Sequence, residues 1–338
     1  MTKKTGSGTF RLETPVDITA NEAIVGKKEK EGPLGEYFKY YSEDEYFGEE
    51  TFEKAESRMQ KEVFNRVIEQ SQNSQKTIDF VFAGDLLNQC IGSNYSVRDC
   101  NVQFFGLYGA CSTMAEAMTL ASMAIDGGFA QKAIAMTSSH FCSAERQFRF
   151  PLEYGSQRPQ SAQWTVTGSG CLLLERGMVG SGHPKITEIC PGQVCDMGIS
   201  DQNNMGAAMA AAAELTLKRF LDDTKTSPDD YDLIVTGDLG HTGQEILKEL
   251  LIQDGITPGA NLNDCGKMIF DKNSQDTHAG GSGCGCSASV LAGYILPEMR
   301  AMRLRNVLFM ATGALMSPVS TLQNESIPGI AHLLHITA

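Results

Sequence analysis

The stretch from Gly109 to Gly128, GACSTMAEAMTLASMAIDGG, sets a cysteine after a small-residue turn and before an Ala/Met-rich segment of helical composition. A thiol at a helix start faces the positive end of the helix dipole, which favours the thiolate, and nearby backbone N–H groups can receive an oxyanion. Cys111 is therefore placed as a nucleophile for acyl transfer. The alternative is a small apolar residue packed in a core. A working site of this kind also needs partners that face developing negative charge, as a rule two histidines or a histidine and an asparagine.

Other residues offer recognition chemistry. Arg146 and Arg149, in SAERQFRFP at 143–151, suit bidentate contacts to a carboxylate, with Arg158 next in line, although surface ion pairing is the commoner use of an arginine. Asp85 and Asp238 each follow a strand in a Gly-Asp-Leu turn and could hold Ca²⁺ or cap helices, capping being the default. Asn88, Asn203 and Asn204 could supply amide contacts. His140 closes the apolar stretch AIAMTSSH and is a ligand-pocket candidate. His278, ahead of AGGSGCGCSA, could approach Cys111 from the second half of the chain, and His241 lies three residues past Asp238. His183, in SGHP, reads as a surface-turn histidine. The ten cysteines include no CxxC pair, and Cys284-x-Cys286 would share one face if it were a strand. Zinc needs four converging ligands, so neither a metal nor a cofactor is expected.

These residues sit on a chain that repeats itself. DFVFAGDLL at 79–87 is matched by YDLIVTGDLG at 231–240. GACSTMAEAM at 109–118 is matched by GCGCSASVLA at 283–292, and FAQKAIAMTSSH at 129–140 by LRNVLFMATGAL at 304–315. The shared order is a buried strand, a crossover, a small-residue helix and a second buried strand, which implies two related α/β halves. Between them lie strands near 163–175 and 184–196 and a Met/Ala helix near 204–221, whose alanine face predicts close helix packing. Thr51 is placed to cap an amphipathic helix with the apolar stripe Phe52, Ala55, Met59, Val63, Phe64 and Val67. Phe38, Tyr40, Tyr41, Tyr46 and Phe47, ahead of it, are expected to pack on the body.

Composition narrows the function. The 338 residues carry a formal net charge of -13, which excludes a broad positive field for nucleic acid. No signal-peptide core or spanning apolar run is present, so a soluble protein with reduced thiols is expected.

Two α/β halves, with Cys111 after Gly109-Ala110 and before a long helix, resemble the thiolase superfamily of thiolases and ketoacyl synthases. Over essentially the whole chain the likeness is closer to the stage V sporulation protein AD family of spore-forming bacteria. It is carried by KEKEGPLG (28–35), FAGDLLNQ (82–89), FGLYGACST (105–113), TSSHFCSAERQFRFPLEYGSQRP (137–159), TGSG (167–170), DMGISDQNNMGAAMAAAA (196–213), NDCGKMIFD (263–271), HAGGSGCGCSA (278–288) and GALMSP (313–318).

The resemblance implies a five-layered αβαβα body, an N-terminal half at 1–180 with an extension at 1–50, and a C-terminal half at 181–338. It also implies a homodimer, a peripheral place at the spore inner membrane beside integral membrane proteins of an uptake complex, and binding of dipicolinic acid, alone or as its calcium chelate. The family's catalytic histidine would fall in TGDLGH, where Asp238 stands, and its asparagine in GSGCGCSAS, around Ser282 to Cys284. A carboxylate beside a developing enolate opposes the charge. The expectation is a non-catalytic pocket contributed by Asp85, Asn88, Cys111, His140, Arg146, Arg149, Asn204, Asp238, Ser282 and Cys284. The rival is a Cys-dependent condensing enzyme of the ketoacyl-synthase-III type, with Cys111 and His278 or His241 as its machinery.

Overall fold

The computed structural model describes residues 3–148 and 158–338; Arg149 lies outside them. Ten strands build the body. In chain order they are β1 (Thr9–Gly26), β2 (Phe80–Gly84), β3 (Gln103–Leu107), β4 (Lys132–Ser139), β5 (Gly168–Arg176), β6 (Lys185–Cys190), β7 (Leu233–Thr236), β8 (Leu262–Asp264), β9 (Asn306–Ala314) and β10 (Gly329–Thr337). Strands β4, β5, β7 and β9 are buried almost throughout, which is why they read as continuous small or apolar runs instead of alternating ones.

The strands fall into two wings with one pattern. In the first wing β2 pairs in parallel with β3 and β4, β4 antiparallel with β5, and β5 antiparallel with β1. In the second wing β7 pairs in parallel with β8 and β9, β9 antiparallel with β10, and β10 antiparallel with β6. The three repeated stretches occupy corresponding places: β2 with β7, the segment after Gly109 with that after Gly283, and β4 with β9. Strand β1 had no counterpart in the sequence reading. It is 18 residues long, pairs with β5 over its second part, and joins the wings by pairing with β6 across a register shift between Arg11 and Val16.

Helices complete five layers. Against the outer face of the first wing lie α1 (Phe52–Gln70) and α2 (Ile91–Val97). Between the wings lie α3 (Thr113–Asp126), which touches β2, β4, β9 and β10, and α7 (Cys284–Val290), which touches β4 and β5. Outside the second wing lie α5 (Met205–Thr224) and α6 (Gly240–Gln253), while the short α4 (Phe141–Phe148) follows β4. The alanine face of α5 packs closely as expected. A Cβ on Gly206 would stand 2.4 Å from the Leu239 carbonyl and 3.0 Å from the Gly243 nitrogen, so α5 and α6 meet almost backbone to backbone.

Thr51 caps α1 by accepting from the Lys54 N–H, and Ala55, Met59, Val63, Phe64 and Val67 are buried as the stripe requires. The aromatic stretch ahead of it divides. Phe38 and Phe47 are buried, but Tyr41 and Tyr46 remain 44% and 41% exposed. Cys284 and Cys286 do not share a face. They lie on a helix, about 200° apart in its wheel, and their thiols donate to the Ser138 and Gly237 carbonyls respectively.

Candidate functional site

Cys111 lies in a tight turn, Ala110–Ser112, that leads into α3. Ala110 adopts φ +52°, a left-handed conformation unusual for a residue with a Cβ. The turn is fixed by Ser112 N–H and Oγ, both donating to the Gly109 carbonyl, and by Thr113 Oγ1, donating to the Ala110 carbonyl at 2.6 Å. Strand β9 abuts it. A Cβ on Gly313 would stand 2.7 Å from the Gly109 carbonyl and 3.0 Å from the Ser112 nitrogen, so only glycine lets the second wing press on this turn.

Cys111 opens onto a cavity of about 220 Å³. Both halves of the chain wall it. Leu86 and Tyr108 come from the ends of β2 and β3, Ala144, Glu145 and Phe148 from α4, and Thr165 from the segment before β5. Met205, Ser282 and the run Ala314–Ser317 come from the second half. The lining is mainly apolar, with Glu145 buried and accepting a hydrogen bond from Thr165 Oγ1.

Asp238 lies behind the thiol, fully buried. Its Oδ1 accepts from Thr312 Oγ1 at 3.0 Å, its Oδ2 from the Gly283 N–H at 2.9 Å, and it also receives the Cys111 thiol. Burial raises this carboxyl to about 7, against the lowering effect of those three donors. Burial and the Asp238 charge push the Cys111 thiol well above its ordinary range, with the Gly283 N–H acting weakly the other way. The expected helix-start activation is thus reversed: a desolvated thiol beside a carboxylate resists ionisation more than the helix dipole favours it.

Several other expectations change. Arg146 projects away from the cavity, pairing with Glu53 at 3.2 Å and lying 5.6 Å from the Phe52 ring centre. Arg158 sits over Trp164 and donates to the Asp276 carbonyl. His140 is buried, with Nε2 on the Glu45 carbonyl and Nδ1 accepting from the Cys142 N–H, so it ties the N-terminal segment to α4. His278 engages the Pro159 carbonyl and Asp276, and does not reach Cys111. His241 lies on α6, off the cavity, and its imidazole is lowered by burial and by Lys272 and Lys267. His183 stands in a bend, as expected.

Asp85 is a helix-capping carboxylate, accepting from the N–H groups of Leu87 and Ser93 and from Ser93 Oγ. Asn88 accepts from Tyr108 Oη and so braces a residue of the lining from outside. Asn204 stands one residue ahead of Met205 at the start of α5, and Cys284 is buried in one small apolar cluster with Cys111, Leu86 and Ala144. The structure thus brings Cys111, Asp238, Ser282 and Cys284 together and leaves Arg146, His140 and His278 out. It adds Leu86, Tyr108, Phe148, Met205 and Ala314–Ser317. A signal existed for part of that set, since Tyr108 immediately precedes the GACS turn and 314–317 falls inside GALMSP. Among the described residues, no group of three His, Cys, Asp or Glu side chains converges as metal ligands, and no helix is long and apolar enough to cross a membrane.

Residues 6–337 match the family described as stage V sporulation protein AD (SpoVAD). The chain belongs to that family. It is 42% identical over 330 residues to stage V sporulation protein AD of Bacillus subtilis, covering 98% of this chain and 96% of that protein. Solved structures share the fold at low identity. A variant of OleA from Xanthomonas campestris superposes with a TM-score of 0.62 at 11% identity, covering 97% of this chain and 100% of that one. The 3-oxoacyl-(acyl carrier protein) synthase III FabH of Xanthomonas oryzae pv. oryzae gives 0.59 at 10% identity, with the same two coverages. These neighbours establish a thiolase-like fold for this member of the sporulation family.

Proposed function

We propose that the Cys111 cavity is a ligand pocket and not a catalytic centre, and that its ligand is dipicolinic acid or its calcium chelate, taken up during spore formation. The observation that carries this reading is the carboxyl of Asp238 against the Cys111 thiol, with none of the described histidines in contact with either. An acyl-transfer centre needs an ionisable thiol and positive or neutral donors for an oxyanion, and this arrangement opposes both. The pocket's character agrees with a small planar guest: apolar walls, with the hydroxyl-bearing residues Tyr108, Thr165, Ser282 and Ser317 on the lining.

The same reading places the protein peripherally at the spore inner membrane, delivering its ligand to integral membrane partners, and as a homodimer. The open edge of the first wing supports the last point. On β3, Phe105 is 48% exposed and stacked on Phe82, and Tyr108 just beyond is 51% exposed. Such an edge is a natural place for another copy.

Calorimetry of the purified protein with dipicolinate, with and without Ca²⁺, tests the ligand. Saturable binding that is lost in A144W, which fills the cavity, is expected. No heat at millimolar ligand overturns the small-molecule reading. Mass spectrometry after incubation with acyl-CoA thioesters tests the rival: an adduct absent from C111A would make the protein a condensing enzyme.

A further inference from the structure

Behind the pocket wall lies a second buried acidic centre that the cavity does not reach. Glu56 of α1 and Asp85 at the end of β2 are 1% and 0% exposed. A Cβ on Gly92 would stand 3.2 Å from the Asp85 carboxyl carbon and 3.5 Å from that of Glu56, so both carboxyl groups crowd one point. Gln60 links their hydrogen-bond shells, with its Nε2 3.3 Å from Ser138 Oγ and 3.1 Å from Ser93 Oγ.

The two acids hold different parts of the pocket. Glu56 Oε1 accepts from Ser138 Oγ at 3.0 Å, at the end of β4, and Oε2 accepts from Ser143 Oγ at 2.7 Å, in the first turn of α4. That helix carries Ala144, Glu145 and Phe148 to the cavity. Asp85 holds the N–H of Leu87 and the start of α2, and Leu86 between them lines the cavity. Two buried carboxylates so close cannot both ionise at low cost, so the pair retains a proton into the neutral range.

We propose that Glu56 is a positioning residue for the pocket: it ties α4 to the body through Ser143, and its ionisation, buried beside Asp85, favours an opening of the α4 wall that lets water reach the carboxylate. Burial and then the Asp85 charge raise Glu56 to about 8, and burial raises Asp85. Among the described residues, no cation is paired with either acid. Glu53 adds negative charge from the same helix and is itself paired with Arg146 at the surface. Cys284, Cys90 and Tyr108 face Asp85 as neutral groups, all three raised by burial, and the His140 ring is turned to Glu45. A folded-state acid raised above its ordinary value contributes stability that is complete below that value and lost as pH climbs through about 8.

Hydrogen–deuterium exchange of the amides in 141–148, corrected for intrinsic rate, tests this without any ligand. In the wild type, local opening should rise by up to about tenfold per pH unit between the ordinary carboxyl value of 4.5 and about pH 8, the slope for one linked proton, and level off above it. E56Q should flatten that profile, and S143A should raise opening by the same factor at every pH. A flat wild-type profile, an E56Q profile with the wild-type slope, or wild-type protection in S143A each overturns the proposal. If E56Q fails to fold, D85N removes the neighbouring charge and leaves Glu56 to titrate, so the rise should level off at a lower pH than in the wild type, and an unshifted profile overturns the proposal.

Discussion

Asp85 and Asp238 each follow a glycine at the C-terminal end of a buried parallel strand, in the same Gly-Asp-Leu turn of matching wings. Asp85 stays within its own wing, capping Leu87 and Ser93. Asp238 crosses between halves of the chain, from the β7 turn to the Cys111 turn. The crossing is possible because Asp264, at the end of β8, has taken over the local cap. It accepts from the N–H groups of Leu239, Gly240 and Lys267 and from Thr236 Oγ1. One acid must hold the turn after each central strand; a second acid releases the first for the site.

Removing the substitute should do most damage. D264A deletes four hydrogen bonds to one buried carboxylate and should cost about 4 kcal/mol in urea unfolding, while D238A costs less. An equal cost would erase the distinction between the two acids. Asp238 should then separate from Asp85 in its pH response. Raised from 3.8 to about 7, it contributes stability that is complete below pH 3.8 and lost as pH rises through 7, of the order of 4 kcal/mol. D238N should flatten that fall in the urea midpoint and also speed Cys111 alkylation by iodoacetamide about tenfold at pH 8. D85N should leave the alkylation rate unchanged. A smaller effect is expected from G313A. Forcing the β9 backbone off the Cys111 turn should lower stability by about 2 kcal/mol and expose the thiol to alkylation. Smallest is R146A, which breaks a surface pair and should change stability by about 0.5 kcal/mol or less without altering the pocket. Loss of ligand binding in that variant would return Arg146 to the site.

The matched turns, the small-residue helices and the buried strands were legible because each repeats a composition that only burial on both faces produces. That Asp238 stands near Cys111 came from the resemblance to the thiolase superfamily, whose catalytic histidine would fall in TGDLGH. Strand β1 was hidden because it mixes Arg11, Glu13, Asp17, Asn21 and Glu22 into an apolar stretch, and its two partners change part-way along. The arginines and histidines misled for a different reason. Residue type sets what a side chain can bind, but its direction depends on helix phase and on neighbours far away in sequence. On α4, Glu145 turns into the cavity and Arg146, one residue on, turns out to Glu53. The order of the thiol's stabilising and destabilising neighbours was equally beyond reach, since it follows from the depth at which Asp238 is buried.

The β1–β5 pairing also sets a timetable for synthesis. Thr19 and Leu173, which meet across that seam, lie 154 residues apart. At about 5–20 residues per second, a nascent chain carries β1 for roughly 10–30 s before its partner emerges from the ribosome. During that interval the middle of the strand has its hydrogen-bonding edges open, since only its ends pair locally, Thr9–Arg11 with Lys3–Thr5 and Ile24–Gly26 with Tyr40–Ser42. Charges along β1 that obscure it as a strand therefore act as a safeguard in translation, keeping an early, unpartnered ribbon from joining the wrong neighbour.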